Sequence, residues 1–433
     1  MLNARRLITL GGLALLLLVI SPSITGWLTA AKSGASSGNP FGSIPGLQAQ
    51  APGTPFPNSN HGGALVNTRP AGTGGHPSPS TSPSGQPGPS ATPTPAARPS
   101  ALPTPPVLPP PPPPVRSTAL RGLYQFLGNS HPEDASNPSI DGGLMLFTWT
   151  QVEPQRGSFN WGAIDGPLST WARAGKKVGL RVYTASMIKY NSSWNNSTAG
   201  SATPAWVYAD GAAKVTETDG SVLPVYWDPI YERDLQGFVQ ALTARYNSNP
   251  SVVFIQAPSG FDGESFVDGT ANTNKLALWQ AVGYNDSVWE NTVFWTWRLY
   301  QTYSTKPVVA VLKGGQISGA NIFASLADHA VATGAWVNHN GLAPTPFGGT
   351  YLPELQKAGR NTGCMLEELA RLSIDATGAT NMLTEMQNAL NASAEMVLLY
   401  PAEVQAGTAG SSTYQPVWAS ALQTAHAQIW AGH

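Results

Sequence analysis

Beyond residue 116, short apolar runs alternate with segments in which apolar residues recur at helical spacing. A short apolar run bounded by polar residues predicts a buried strand, and the helical spacing predicts an amphipathic helix that covers it. Eight strands are predicted, at Leu120–Phe126, Gly143–Thr148, Lys177–Tyr183, Val252–Ala257, Pro307–Leu312, Ala335–Asn338, Gly363–Leu366 and Glu395–Tyr400. Helices are predicted at Ile164–Ala174, Tyr231–Tyr246, Asn285–Tyr303, Ile322–Ala332, Tyr351–Ala358, Ala379–Leu390 and Pro416–Trp430.

Eight strands that alternate with helices within residues 116–433 predict an α/β fold, a (β/α)₈ TIM barrel. A long polar insertion between Ala185 and Pro229 follows the third strand. The alternative is an open doubly wound sheet, which would place a glycine-rich phosphate-binding turn after the first strand. The segment Gly128-Asn129-Ser130-His131-Pro132 does not have that pattern, so the barrel is favoured.

The N-terminus has the pattern of a targeting segment. Arg5 and Arg6 precede an apolar run of 14 residues, Leu7–Ile20. A basic start followed by a short apolar stretch is typical of an export signal, and the run is shorter than the roughly 20 residues of a membrane span. Residues 1–31 are therefore interpreted as a signal peptide or an uncleaved membrane anchor.

Residues 32–115 are predicted to be a disordered linker rich in Pro, Ser, Thr and Gly. Of the 39 prolines in the chain, 23 lie between Pro40 and Pro114. Such a segment buries too little apolar surface to offset the loss of chain entropy. It acts either as a stalk or as a passive tail, and the folded domain spans residues 116–433.

Charge and cysteine content exclude several classes of protein. All 24 acidic residues lie beyond Arg116, whereas five of the 23 basic residues precede it. The folded part therefore carries a net charge of about −6. This argues against a nucleic-acid partner and suits a neutral substrate. A single cysteine excludes a disulfide framework and multi-cysteine metal sites. His131, His329 and His339 lack metal-ligand spacing, so we expect no catalytic metal and no cofactor.

Carboxylates lie where a barrel places its chemistry, at the C-terminal ends of the strands. Glu264 follows the fourth predicted strand, and Glu367 and Glu368 follow the seventh. Paired carboxylates in a site rich in Trp and Tyr suggest glycoside hydrolysis, because one acid protonates the leaving oxygen while a second carboxylate attacks or stabilises the sugar cation.

The segment Trp149–Trp161 resembles the W-x-x-x-E-P-x-x-G-x-[FY]-[DN]-[WF] motif of clan A glycoside hydrolases, nearest to the β-galactosidase-like families 42 and 35 and related barrels. As in those families, Ile164-Asp165 follows it. Pro204-Ala205-Trp206 and Leu223–Pro229 resemble their later motifs, as does Pro250-Ser251-Val252 before the fourth strand. The resemblance spans roughly residues 143–264.

This resemblance implies a retaining glycosidase in which Glu264 is the general acid/base. The nucleophile would be Glu367 or Glu368, and Glu367 is favoured because it directly follows the apolar strand. The chain departs from the family at Gly263, where an asparagine that contacts the sugar 2-hydroxyl is expected. Seven further residues are interpreted as substrate-binding: Trp149, Arg181, Trp206, Trp227, Asn338, His339 and Tyr400.

Two other classes of function remain open from the sequence. The domain could be a non-catalytic carbohydrate-binding barrel, or a structural protein displayed on its stalk. We expect a secreted or cell-surface monomer that meets the membrane only through its N-terminal segment and takes an oligosaccharide or polysaccharide as its substrate.

Overall fold

The chain of 433 residues was analysed as a computed structural model, which describes residues 108, 120–186, 201–217, 220–268 and 273–431. The predicted signal or anchor lies outside the described residues, and so does the linker apart from Leu108. Within the described residues, no helix combines the length and apolar character that crossing a membrane requires.

Eight parallel strands close into a barrel, which confirms the predicted (β/α)₈ fold. Each strand pairs with its neighbour in the sequence, and the last pairs with the first. In chain order the strands are β1 (Gly122–Gln125), β2 (Gly142–Thr148), β3 (Lys177–Tyr183), β4 (Val252–Ala257), β5 (Val308–Leu312), β6 (Trp336–Leu342), β7 (Cys364–Glu368) and β8 (Met396–Leu399).

Helices surround the barrel, and a small antiparallel hairpin of Lys214–Thr216 and Val222–Pro224 lies within the insertion. A 3₁₀ helix spans Pro132–Ser136. The α-helices are Trp149–Val152, Gly162–Arg173, Ala205–Ala209, Pro229–Tyr246, Thr273–Gln280, Asp286–Tyr303, Phe323–Thr333, Tyr351–Asn361, Ala376–Asn391, Pro401–Ala406 and Pro416–Ala431.

Alternation along the strands divides the core into two layers. Tyr124, Phe254, Trp336, Met365 and Leu398 belong to one buried cluster, inside the barrel. Flanking residues such as Leu123, Ile255, Val337, Leu366 and Val397 belong to a larger cluster between the strands and the helices. Because successive strand side chains point to opposite faces, the position of one residue fixes the direction of its neighbours.

The barrel interior leaves little room beside Phe254. A Cβ atom added at Gly179 of β3 would lie 2.0 Å from the Phe254 ring. Gly237 lies on the exposed side of the helix Pro229–Tyr246, where an added Cβ would meet nothing within 4 Å.

We predict opposite effects from two glycine-to-alanine substitutions. Gly179→Ala should destabilise the protein by about 1–3 kcal/mol, because it overpacks the barrel interior. Gly237→Ala should stabilise it by about 0.5–1 kcal/mol, because alanine is the better helix former. Urea unfolding midpoints of the two variants check this, and equal shifts would contradict the assignment of Gly179 to the inner face.

Candidate active site

Three strands bring polar side chains together at the C-terminal end of the barrel, around Glu367. This residue follows the inward-facing Met365 by two positions in β7, and its exposed fraction is 3%. Arg181 of β3 donates from Nη2 to Glu367 Oε2 at 2.9 Å. Asn338 of β6 donates to the same oxygen at 3.4 Å. The barrel thus encloses a paired carboxylate.

The guanidinium of Arg181 is held by inward-facing neighbours. Its Nε donates to Gln256 Oε1 of β4, and its Nη1 donates to the hydroxyl of Tyr183 at 3.4 Å. The ring of Phe126 lies 5.7 Å from the guanidinium carbon. A buried cation fixed by these contacts can orient the Glu367 carboxylate without rearranging.

The pKa of Glu367 is raised above its ordinary value, chiefly by burial. Arg181 opposes this rise, and the negative charge of Glu264 adds to it. Glu367 lies in β7 and Glu264 in the turn after β4, and the electrostatic effect of one on the other indicates that the two carboxylates face the same end of the barrel.

Glu264 is presented by a tight turn beyond β4. Asp262 and Gly263 have φ values of 50° and 78°, in the left-handed region that glycine adopts most readily. A Cβ atom at residue 263 would also lie 2.7 Å from the ring of Tyr183. The turn is fixed to the end of β3 because the amide of Asp262 donates to Ala185 O at 3.0 Å. Glycine therefore occupies the place of the expected asparagine for steric reasons.

Two residues that the sequence did not single out contact Glu264. Asn340 of β6 donates from Nδ2 to Glu264 Oε1 at 2.9 Å, and Lys313 Nζ lies 3.6 Å from Oε2. Asn340 lies two residues beyond Asn338 on an extended strand, so strand alternation could have identified it. Lys313 directly follows β5, where the barrel places its functional residues.

Glu368 points away from this group. It is fully buried outside the barrel, where the amide of Tyr400 donates to its Oε2 at 2.8 Å. Glu385 and Glu403 are its electrostatic neighbours there, and burial raises the pKa of all three carboxyls. The position of Glu368 therefore supports Glu367 as the carboxylate that faces Glu264.

Trp149 does not fit the subsite expected for it. The ring is completely buried, its indole donates to Glu153 Oε2 at 2.8 Å, and it packs 5.2 Å from Phe238. Trp149 follows Thr148 at the end of β2, and Trp149–Val152 forms a helical turn on the outer side of the barrel. Glu153 Oε1 also accepts from the amide of Gly157 at 2.7 Å, so both oxygens of this carboxylate are held within the segment that follows β2.

Trp206 and Trp227 are half-buried and pack against the helix layer. The ring of Trp206 lies edge-on to Trp149 at 5.6 Å, and Arg156 lies over its face at 4.9 Å. The indole of Trp227 donates to Val282 O at 3.1 Å. None of these three contacts links the two rings to the carboxylates, so their expected role as sugar platforms stays a prediction.

Tyr400 joins the group around Glu367, whereas His339 does not. The Tyr400 ring lies edge-on to Phe126 at 5.6 Å. His339 lies between Asn338 and Asn340, so strand alternation directs it outward, and its ring stacks on Tyr351 at 5.2 Å. Burial lowers the pKa of His339 to about 4, and the charge of Lys313 adds to this effect. The imidazole is therefore neutral and packs outside the barrel.

A parallel eight-stranded barrel with carboxylates at the ends of β4 and β7 defines a protein that resembles clan A glycoside hydrolases. Residues 143–305 match the model of Glyco_hydro_42, a family described as β-galactosidase. The catalytic domain of a β-amylase from Paenibacillus polymyxa has a similar fold. It matches with a TM-score of 0.53 at 10% identity, covering 71% of this chain and 98% of that domain. No curated protein matches the sequence significantly.

We predict that the stability of the protein falls as pH rises from about 4.5 to about 8. Burial raises the pKa of Glu385 to about 8 and that of Glu403 to about 7, from an ordinary 4.5. The folded state then binds more protons than the unfolded state throughout this window, so deprotonation favours unfolding. Glu385→Gln removes one of these protons and should flatten the dependence.

The measurement is the urea unfolding midpoint of the protein and of Glu385→Gln at about pH 5 and about pH 8.5. The variant should gain at least about 1 kcal/mol relative to the parent at the higher pH. An equal difference at both pH values would contradict the assignment of a protonated carboxyl to this cluster.

Proposed function

We propose that the protein hydrolyses O-glycosidic bonds with retention of configuration, using Glu264 as general acid/base and Glu367 as nucleophile. The observation that carries the proposal is that Asn338 and Asn340, two residues apart on β6, contact Glu367 and Glu264 respectively. Of these two carboxylates, only Glu367 is paired with a buried guanidinium. This asymmetry suits a reaction in which one carboxyl transfers a proton and the other attacks carbon.

Glu367 has the surroundings that a nucleophilic carboxylate needs. Arg181 and Asn338 both contact Oε2, and neither of these contacts involves Oε1. The guanidinium favours the ionised form against the effect of burial. In the first step, a carboxylate oxygen of Glu367 attacks the anomeric carbon as the bond to the leaving oxygen breaks.

Glu264 supplies the proton for the leaving oxygen in the same step. Asn340 donates to its Oε1, whereas no described residue donates a hydrogen bond to its Oε2. We assign the transferred proton to Oε2, which also lies 3.6 Å from Lys313 Nζ. In the second step, Glu264 takes a proton from the water that attacks the anomeric carbon, which releases Glu367 and returns the site to its starting state.

The substrate class is a neutral oligosaccharide or polysaccharide outside the cytoplasm. The support for this part comes from the export-like N-terminus, the linker and the few charges of the folded domain. We infer a monomer attached through residues 1–31 where the signal is retained, or secreted where it is cleaved.

A second candidate is a carbohydrate-binding barrel without turnover. The observation in its favour is that residue 263 is glycine, where the glycoside hydrolases that the sequence resembles have an asparagine. In addition, Lys313 contacts Glu264.

We predict that glutamine substitution separates Glu367 from its sequence neighbour. Glu264→Gln and Glu367→Gln should each lower kcat for an aryl glycoside by about 10²–10⁴-fold or more, because each removes a reacting group. Glu368→Gln, on the outer face of the same strand, is the matched control and should leave kcat within about threefold. Sugar binding that survives in all three variants, with no turnover in the parent, would favour the binding barrel.

We predict that the first product formed keeps the anomeric configuration of the substrate. Proton NMR of an early reaction mixture measures this directly, before mutarotation. Release of the opposite anomer would rule out Glu367 as a covalent nucleophile and assign it as the base of an inverting reaction.

A further inference from the structure

One residue of the proline-rich linker packs against the folded domain. Leu108 precedes the predicted start of that domain at Arg116, yet its exposed fraction is 4% and it belongs to the larger hydrophobic cluster. Arg298 donates from Nη2 to the carbonyl oxygen of Leu108, across 190 positions of the chain. A linker that stayed free in solution would leave this leucine exposed, so the linker contacts the barrel at this point.

The contact lies on the outer face of the helix Asp286–Tyr303. Trp295, Arg298 and Thr302 follow one another at intervals of three and four positions, which places them on one side of the helix. The opposite side packs into the hydrophobic core through fully buried residues, which include Trp289, Val293, Trp297 and Tyr300. Leu108 is therefore bound to the side of this helix that faces away from the strands.

Two polar atoms on this outer face are buried and unsatisfied. Trp295 Nε1 and Thr302 Oγ1 form no hydrogen bond with any described residue. Both side chains are only partly buried as a whole, so the covering is local to these atoms. A buried N–H without an acceptor is costly. The face that binds Leu108 thus has a second donor, the indole of Trp295, which needs a carbonyl oxygen beside it.

The sequence around Leu108 supplies such acceptors. Residues 105–109 read Pro-Pro-Val-Leu-Pro, and prolines continue to Pro114. A chain of this composition favours the polyproline II helix, which has no internal hydrogen bonds and leaves its carbonyl oxygens free to accept. Aromatic-lined surfaces bind such segments well, because a chain that is already extended and stiff loses little conformational entropy on docking.

We propose that Trp295, Arg298 and Thr302 form a docking surface for the proline-rich segment of the same chain that contains Leu108. The segment binds in the polyproline II conformation. Leu108 is its apolar anchor, and Arg298 and Trp295 donate hydrogen bonds to its carbonyl oxygens. The end of the linker is therefore fixed to the barrel, and the free part of the stalk ends before Leu108.

Docking at this surface leaves the candidate active site open. Arg298 lies five positions before the helix ends at Tyr303, and the chain then enters β5 at Val308. The docking surface is therefore closer to the N-terminal end of the strands, whereas Glu264 and Glu367 lie at the C-terminal end. A barrel attached in this way turns its carboxylates away from the tether. The inference does not depend on the proposed glycosidase activity.

Nitroxide labels in the full chain test the docking. One label is attached at Val107→Cys, beside the anchor, and in a second protein at Ser80→Cys, within the linker. The single native cysteine, Cys364, is buried and does not compete for the label. Electron paramagnetic resonance should show rotation about threefold or more slower at residue 107 than at residue 80, because a docked segment moves with the barrel.

Three substitutions should release the label at residue 107, each by removing a different contact. Leu108→Asp, which lies outside the barrel and so spares its fold, should bring the rotation rate to within about twofold of that at residue 80. Arg298→Gln and Trp295→Phe should each raise the rate by about twofold, because each removes a donor. Arg173→Gln, at an exposed arginine on another outer helix, is the matched control and should leave the rate unchanged.

Equal rotation at residues 107 and 80 in the parent would overturn the proposal, and so would slow rotation at residue 107 that survives Leu108→Asp. Release by Arg173→Gln as large as that by Arg298→Gln would also overturn it, since the effect would then not be specific to this surface. Slow rotation that appears only as the protein concentration rises would assign the segment to a second copy of the chain and would exclude docking within one molecule.

Discussion

The ion pair between Arg181 and Glu367 is the interaction on which the candidate site depends. Both groups are almost completely buried, so each requires the other to offset its loss of hydration. Gln256, Tyr183 and Asn338 complete the hydrogen bonds that a buried pair needs. Four strand positions thereby hold one carboxylate, which a protein that used this end of the barrel only for packing would not require.

The barrel and the Glu367 side of the site could largely be predicted from the sequence. Strand apolarity located all eight strands to within a few residues, because parallel strands buried on both faces form near-continuous apolar runs. Strand alternation distinguishes Glu367 from Glu368 once Met365 is placed inside the barrel. It also directs Asn338 inward and His339 outward, which composition alone does not show.

The Glu264 side depended on tertiary structure that the sequence pattern does not encode. Lys313 and Asn340 reach Glu264 from strands that follow it by roughly 50 and 75 residues. Their contacts depend on how far the turn after β4 bends, and that bend requires left-handed backbone at two consecutive residues. Trp149 was misplaced for a related reason, since the short helix that begins there carries its ring to the outer face.

Consecutive glutamates in β7 show how a barrel wall separates two electrostatic environments. Glu367 faces a guanidinium inside the barrel, whereas Glu368 faces two further carboxylates outside it. Burial raises the pKa of both groups, but only Glu367 has a cation that opposes the rise. The inner carboxylate is therefore suited to carry charge in a reaction, and the outer one is suited to hold a proton that its neighbours share. Because one strand bears both, a shift of register by a single residue would exchange their environments and leave the buried guanidinium without its partner.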